Sequence, residues 1–162
     1  MGACNVRRDP ASLQVLLEKT QFMHKKGFNC SEAVVWALSR YWDLDLGIAC
    51  ATGLGGGIAR TGETCGSLGG AIVALGAKVG RVDPEDDAKK QLCYRLGQRV
   101  IERFSSEMGS PDCRDILGFV LAETGGPEKY AAGSFKDGKC KDAVATAVKA
   151  AVEAVESLEE RS

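Results

Sequence analysis

Residues Gly53–Gly70 have the sequence GLGGGIARTGETCGSLGG, and we expect the fold to be organised around this stretch. Five glycines precede Cys65 in it, and three follow within the next five residues. Glycine lets the backbone adopt positive φ and approach other segments closely, although it costs conformational entropy. The apolar run that follows predicts a buried helix ending near Gly80. Cys65 is therefore predicted in the first turn of a close-packed helix, at the opening of a glycine-rich loop.

The length and composition of the chain fit one domain. A chain of 162 residues buries roughly two thirds of its unfolded surface, so we expect a single helical, cysteine-containing domain over residues 1–162. Residues 1–8 and 159–162 are expected to be frayed. The 21 basic and 22 acidic residues give a formal net charge of −1, which offers no electrostatic attraction for nucleic acid. The longest uncharged apolar run, Gly66–Ala77, is too short to span a bilayer, so we expect no membrane insertion.

Capping signals recur along the chain without strand alternation, and they predict an all-α bundle of about six helices. Asn29 and Glu32 form a capping-box pattern that begins a helix at Cys30. Asp83-Pro84 is expected to begin a long helix, because aspartate caps a helix and proline suits its first position. Residues Thr124–Gly138 are predicted to be an irregular connection. The long helix carries apolar residues at four-residue steps: Leu92, Leu96, Val100, Phe104 and Met108.

The cysteines are expected to have catalytic, redox or metal-binding roles rather than to form structural disulfides. Residues 1–10 lack an apolar core, so we expect no signal peptide and a cytoplasmic location. In a reducing cytoplasm, cysteines are more often catalytic, redox-sensing or metal-binding than cross-linked. The sequence contains no C-x-x-C pair, which excludes a zinc ribbon or a thioredoxin-type motif. The seven cysteines are Cys4, Cys30, Cys50, Cys65, Cys93, Cys113 and Cys140.

The single histidine and two of the cysteines have simple structural interpretations. His24, the only histidine, is expected to be solvated in the last turn of the first helix, and multi-histidine metal sites are excluded. Cys50 lies among small and apolar residues and is predicted to be a buried hydrophobe. Cys93 is predicted to lie in the core, in the interior of the long helix.

The other cysteines share a position, because Cys30, Cys65, Cys113 and Cys140 each fall in the first turn of a different predicted helix. Cys113 is expected to be the third residue of its helix. Helix N-termini carry partial positive charge and unpaired amides, which favour a thiolate over a thiol. We therefore expect low pKa values for these cysteines and their convergence in space, with Cys140 nearby. The alternative interpretation is that four unrelated small residues happen to begin helices.

Cys65 is predicted to be the most reactive cysteine. It combines a helix N-terminus with a glycine loop that could admit a partner without side-chain obstruction. Arg60 is expected to add positive charge nearby.

The glycine stretch also carries a family resemblance. Gly62–Gly70, GETCGSLGG, resembles the Cys-Gly-Ala-x-x-Gly motif of the C_GCAxxG_C_C family of redox-active proteins, with Ser67 in place of alanine. Asn29–Val34 is similar to the family's first cysteine segment, and Gly109–Gly118 and Cys140 match its later two cysteines. The resemblance covers about residues 10–158 and implies a small helical protein with four shared cysteines and a redox role. Three cysteines lie outside the shared pattern and receive no functional role: Cys4, Cys50 and Cys93.

Three classes of function follow from these patterns. The first is thiol–disulfide chemistry in a thiol-based oxidoreductase, with Cys65 as the attacking thiolate and another helix-start cysteine resolving it. Its partner would be a redox protein or a small thiol. The second is an iron–sulfur cluster or a zinc ion held by Cys30, Cys65, Cys113 and Cys140. The third is a helical interaction module whose cysteines only pack. In each class a homodimer stays open.

Cysteine spacing favours redox work over a closed structural zinc site. Zinc ligands usually come in close pairs, because short loops cost little entropy to close. The four cysteines are separated by 35, 48 and 27 positions, so no pair is local. Iron–sulfur binding stays open, because clusters accept distant ligands.

Overall fold

A computed structural model describes residues 10–159, and this part of the chain folds into eight helices without a strand. None of these eight helices combines the length and apolarity that crossing a membrane requires. The predicted all-α class is confirmed, whereas the predicted number of about six helices is too low. The expected fraying of residues 1–8 and 159–162 lies outside the described residues, apart from Glu159 at the end of the last helix. The elements are α1 Pro10–Lys25, α2 Cys30–Trp42, a 3-10 helix Ile48–Leu54, α3 Gly66–Val79, α4 Asp87–Met108, α5 Cys113–Leu117, α6 Gly126–Ala132 and α7 Lys139–Glu159.

Helix α6 lies inside the stretch that was predicted to be irregular. Its sequence begins with Gly125-Gly126-Pro127, which is typical of a turn. In the structure Gly125 is the N-cap with φ of 81°, and Pro127 occupies the first turn. Proline is tolerated there because its missing N–H would have no helical partner. The prediction was wrong because the same residues suit a helix start.

Two helix starts show how the capping signals act, one as predicted and one shifted. The Asn29 side chain accepts a hydrogen bond from the Glu32 N–H, and the Glu32 carboxylate accepts one from the Asn29 N–H at 2.8 Å. The predicted start of α2 at Cys30 is therefore confirmed. Helix α4 begins at Asp87 rather than at Asp83-Pro84, because the Asp86 carboxylate caps it by accepting from the Lys89 N–H.

Helices α2, α3, α4 and α7 supply the core. The predicted apolar positions of α4 are buried at Leu96, Val100 and Phe104, while Leu92 and Met108 pack on the core from its edge. The interior holds few large side chains, so the helices approach one another closely. The other large, fully buried side chains include Leu38 of α2, Leu68 and Leu75 of α3, and Val144, Val148 and Val152 of α7.

The first turns of α2 and α3 approach each other closely. A Cβ atom placed on Gly70 would lie 2.7 Å from the carbonyl oxygen of Ser31. A Cβ atom on Gly66 would lie 2.7 Å from the Cys30 Sγ atom. Because only glycine fits at these two positions, the two helices start side by side, and their cysteines become neighbours.

Candidate functional site

Four cysteines line one cavity of about 650 Å³, which we call the cysteine cavity. They are Cys30, Cys65, Cys113 and Cys140, the same four that the sequence placed at helix starts. Cys50 and Cys93 do not line it. Apolar side chains form much of the remaining wall, and the polar lining includes His24, Arg60, Ser67, Tyr130 and Lys136.

Each of the four cysteines lies at the start of its own helix. Cys30 is the first residue of α2, Cys65 is the N-cap of α3, and Cys140 is the second residue of α7. Cys113 is the first residue of α5 rather than the predicted third, because the helix begins after Asp112. The cavity is therefore the place where four helix N-termini meet.

The glycine loop forms a left-handed turn beside the cavity. Five consecutive residues, Gly56–Arg60, have positive φ values between 52° and 73°. Three of them, Ile58, Ala59 and Arg60, are not glycine, and left-handed backbone costs such residues roughly 1–2 kcal/mol each. Backbone hydrogen bonds hold the turn, for example from the Ala59 N–H to the Gly53 carbonyl at 2.8 Å. The glycine pattern predicted a permissive loop, but it gave no sign that three ordinary residues would join it.

The loop is tied to α5 by main-chain hydrogen bonds that join two cysteines. The Cys65 N–H donates to the Pro111 carbonyl, and the Cys113 N–H donates to the Glu63 carbonyl, both at 2.8 Å. A Cβ atom on Gly57 would lie 2.6 Å from the Cys113 Cβ atom, so glycine is required where the loop passes this cysteine. These contacts fix the backbones of Cys65 and Cys113 relative to one another.

Burial raises the pKa of every thiol in the cavity. The pKa rises to about 12 for Cys65 and Cys113 and to about 11 for Cys140, and it is also raised for Cys30. Desolvation is the largest cause in each case, because a thiolate loses its hydration inside the protein. Negative charge on a neighbouring cysteine adds to the rise, as at Cys65 beside Cys30.

The expected low pKa values are therefore wrong, although the predicted helix-end effect is present. The amides of Ser67 and Leu68 lower the pKa of Cys65, even though no hydrogen bond of ordinary geometry closes that cap. The amides of Gly56 and Ser31 act in the same way on Cys30. Desolvation outweighs these dipoles because the amides replace only part of the hydration that the thiolate sulfur loses on burial.

The expected reactivity order also changes. Cys65 is buried and its thiol is neutral at pH 7, whereas Cys50 is exposed rather than buried as predicted.

We therefore expect iodoacetamide at pH 8 to label Cys50 well before the four cavity cysteines, because access and thiolate content both control alkylation. Peptide mass spectrometry over time would give the order. Protein unfolded in urea is the control, in which the difference should vanish, and labelling of Cys65 before Cys50 would contradict the expectation.

Two hydroxyl groups in the cavity were not anticipated as site residues. The Ser67 Oγ atom is fully buried and has no hydrogen-bond partner of ordinary geometry among residues 10–159, yet it is close enough to Cys30 and Cys65 to lower the pKa of both. The Tyr130 hydroxyl has the same effect on Cys140. The sequence offered one indication of a role for Ser67, namely serine at a position where the family motif has alanine. It offered no indication of a role for Tyr130.

His24 also departs from its expected position. It is 4% exposed and lines the cavity instead of lying in solvent. Burial lowers its pKa, and the charge of Lys136 lowers it further, so the imidazole is neutral at pH 7. The pattern of the first helix gave no indication of this, because the residues that cover His24 are distant in sequence.

The donor set of the cavity suits a sulfur-ligated cofactor better than a single metal ion. Among residues 10–159, no three His, Cys, Asp or Glu side chains are placed closely enough to hold one metal ion. All six described cysteines are free thiols. Four cysteines around a larger space are the usual ligands of an iron–sulfur cluster, so Cys30, Cys65, Cys113 and Cys140 fit that group by donor type.

Comparison with known proteins places the chain in a family. No curated protein and no solved structure matches it. A family model described as "Putative redox-active protein (C_GCAxxG_C_C)" matches residues 28–154, a segment that includes all four cavity cysteines. The chain therefore belongs to the C_GCAxxG_C_C family.

Proposed function

We propose that the cysteine cavity is a redox site in which pairs of its four thiols are oxidised and reduced. The observation that carries this proposal is the convergence of four cysteines, borne by four separate helices, on one cavity. Cysteines that only filled the core would have no reason to meet at one space. The family's description as redox-active agrees with this role.

Cys65 and Cys30 are the pair that we assign to the first exchange. Their helices start side by side, and each thiolate would raise the pKa of its neighbour, as the effect of Cys30 on Cys65 illustrates. The Ser67 hydroxyl and the Ser67 and Leu68 amides oppose this rise at Cys65, so they stabilise the thiolate at the moment of attack. Forming one disulfide from two thiols releases two electrons and two protons.

A second candidate function is electron transfer through an iron–sulfur cluster. The specific observation in its favour is that three other thiols raise the pKa of Cys113, namely those of Cys65, Cys30 and Cys140. Four mutually close, desolvated thiols favour a positively charged group that would let them ionise together. When bound, such a cluster supplies one-electron chemistry, and the four cysteines would hold it.

The test is a thiol titration on anaerobically purified protein, combined with iron and sulfide analysis. For thiol chemistry, we expect a reversible two-electron couple in a defined redox buffer, abolished by either Cys30→Ser or Cys65→Ser. Cys50→Ser is the matched control and should leave the couple intact, because Cys50 does not line the cavity.

The two candidates give different results in this experiment. A cluster predicts bound iron and sulfide with visible absorption, lost in any of the four cavity variants. Colourless protein without a reversible couple would contradict both candidates and leave the helical interaction module as the remaining class.

A further inference from the structure

The charged groups that line the cysteine cavity have one sign. Arg60 and Lys136 line it, His24 is neutral, and no aspartate or glutamate is among the described lining residues. This differs from the chain as a whole, where acidic residues slightly outnumber basic ones. The charged side chains that line the cavity are thus both cations, on a nearly neutral protein.

Two carboxylates beside the cavity have other hydrogen-bond or ion-pair partners. Glu32 accepts hydrogen bonds from the Asn29 N–H and the Thr52 hydroxyl, and Asp137 pairs with Lys25 at 3.1 Å. The Arg60 side chain forms no ion pair with a described residue, whereas Lys136 makes one long hydrogen bond, at 3.5 Å, to the Lys25 carbonyl. Both cations therefore retain donors for a ligand.

Two costly features also indicate a ligand. Arg60 has φ of 70° at the end of the left-handed turn, so the chain accepts backbone strain to place this side chain at the cavity. Ser67 holds a fully buried hydroxyl inside the same cavity, and no described residue forms a hydrogen bond of ordinary geometry with it. Buried polar groups are normally paired, and one that is not requires an explanation. The Cys65 thiolate would satisfy it once formed, and in the reduced protein a ligand that reaches Ser67 would do so.

The shape of the site selects a small molecule over a protein partner. Cys65 and Cys113 are only 6% and 8% exposed, so a cysteine on a folded partner could not reach their sulfurs without a long protruding loop. A volume of about 650 Å³ lies within the usual range for small-molecule sites. Phe28, Leu121 and Pro127 offer apolar contacts to an organic chain.

We propose that the cysteine cavity binds a low-molecular-weight organic disulfide that bears carboxylate groups, with its carboxylates at Arg60 and Lys136 and its sulfurs beside Cys65 and Cys30. This inference rests on the thiol form of the proposed function. It names the substrate class of that site.

Thiol–disulfide exchange between the bound disulfide and the two cysteines takes place in two steps. The Cys65 sulfur attacks one sulfur of the bound disulfide, so that a mixed disulfide forms and the first organic thiolate leaves with the proton given up by Cys65. The Cys30 sulfur then attacks the Cys65 sulfur, which forms the protein disulfide and releases the second organic thiolate, protonated by the proton from Cys30. One organic disulfide is reduced to two thiols, and two cysteines are oxidised.

The experiment uses three small symmetrical disulfide probes of different charge, and each rate is divided by the rate of the same probe with free cysteine. They are 3,3′-dithiodipropionate, which is a dianion, bis(2-hydroxyethyl) disulfide, which is neutral, and cystamine, which is a dication. We expect the reduced protein to react with the dianion about threefold to tenfold faster than with the neutral probe, and with the dication slowest. Raising the salt concentration should reduce this preference, because ions screen exposed charges.

Substitution of the two cations tests whether they cause the faster reaction with the dianionic probe. Arg60→Gln with Lys136→Gln should bring the three rates close together, and Arg60→Gln retains the same positive φ for a non-glycine residue. Arg103→Gln, on α4 and outside the cavity, is the control and should keep the preference.

Equal rates for all three probes in the parent protein would overturn the inference and leave the redox function standing. Absence of reaction with any probe, while the couple in redox buffer persists, would overturn it in favour of a protein partner. Loss of the couple itself would contradict the proposed function.

Discussion

Replacing Gly57 with alanine should lower the free energy of unfolding by about 3–4 kcal/mol, because it combines overpacking with backbone strain. The added Cβ atom would lie 2.5 Å from the Glu63 carbonyl oxygen and 2.6 Å from the Cys113 Cβ atom. Neither neighbour is the free end of a flexible side chain, so the loop and α5 would have to separate. The φ of 73° adds a further cost for any residue with a side chain. Urea unfolding followed by far-ultraviolet circular dichroism would measure the loss.

Gly109 provides the matched control for this substitution. Its φ is 82°, similar to that of Gly57, but a Cβ atom there would meet nothing within 4 Å. Gly109→Ala should therefore cost only the conformational part, about 1 kcal/mol. Equal losses in the two variants would show that the loop moves away from Cys113 without resistance, and the tight packing described above would be wrong.

Alkaline pH should destabilise the reduced protein strongly. The ordinary thiol pKa is about 9, and the folded state raises it to about 12 for Cys65 and Cys113. Between these values the unfolded chain has lost protons that the folded protein still holds, so the free energy of unfolding falls as pH rises. By pH 11 each of these two cysteines should account for a loss on the order of 2 kcal/mol, fully absent below about pH 8. Tyr130, whose pKa burial also raises, acts in the same direction at higher pH.

The variants Cys65→Ala and Cys50→Ala separate this effect from general alkaline damage. Cys65→Ala should give a shallower fall of stability with pH, by up to about 1.4 kcal/mol per pH unit, because one shifted group is removed. Cys50→Ala should follow the parent protein, because Cys50 is exposed and outside the cavity. Urea unfolding at a series of pH values, with reductant present, provides the curves. Parallel curves for the two variants would mean that burial of Cys65 does not control its ionisation.

Local signals in the sequence predicted the helix starts well. The capping box of Asn29 and Glu32 is complete within four residues, and α2 begins at Cys30 as it indicates. The four cavity cysteines could be selected for the same reason, since each helix start is encoded nearby. Local signals failed where two structures share one sequence pattern, as at Gly125-Gly126-Pro127, which suits either a turn or the start of α6.

Properties that depend on distant residues could not be predicted in this way. The thiol pKa values follow from burial by other helices. The position of Cys65 at a helix N-terminus therefore predicted a lowered pKa, whereas the pKa is raised. Cys50 has small and apolar neighbours in sequence, but its 3-10 helix buries only Ala51. The left-handed backbone of Ile58 depends on the hydrogen bonds and packing of the whole loop, because the residue itself disfavours it.

The hydrogen bonds that join Cys65 to Pro111 and Cys113 to Glu63 have a consequence for the order of assembly during folding. They connect segments that are nearly fifty positions apart, so they form only after α4, which lies between them, has folded back onto α3. Cys140 joins last in chain order, because α7 must be synthesised before it can dock. A growing polypeptide therefore carries three of these thiols without the helix that completes their enclosure. During that interval these thiols are open to oxidants from which burial shields Cys65 and Cys113 in the folded protein.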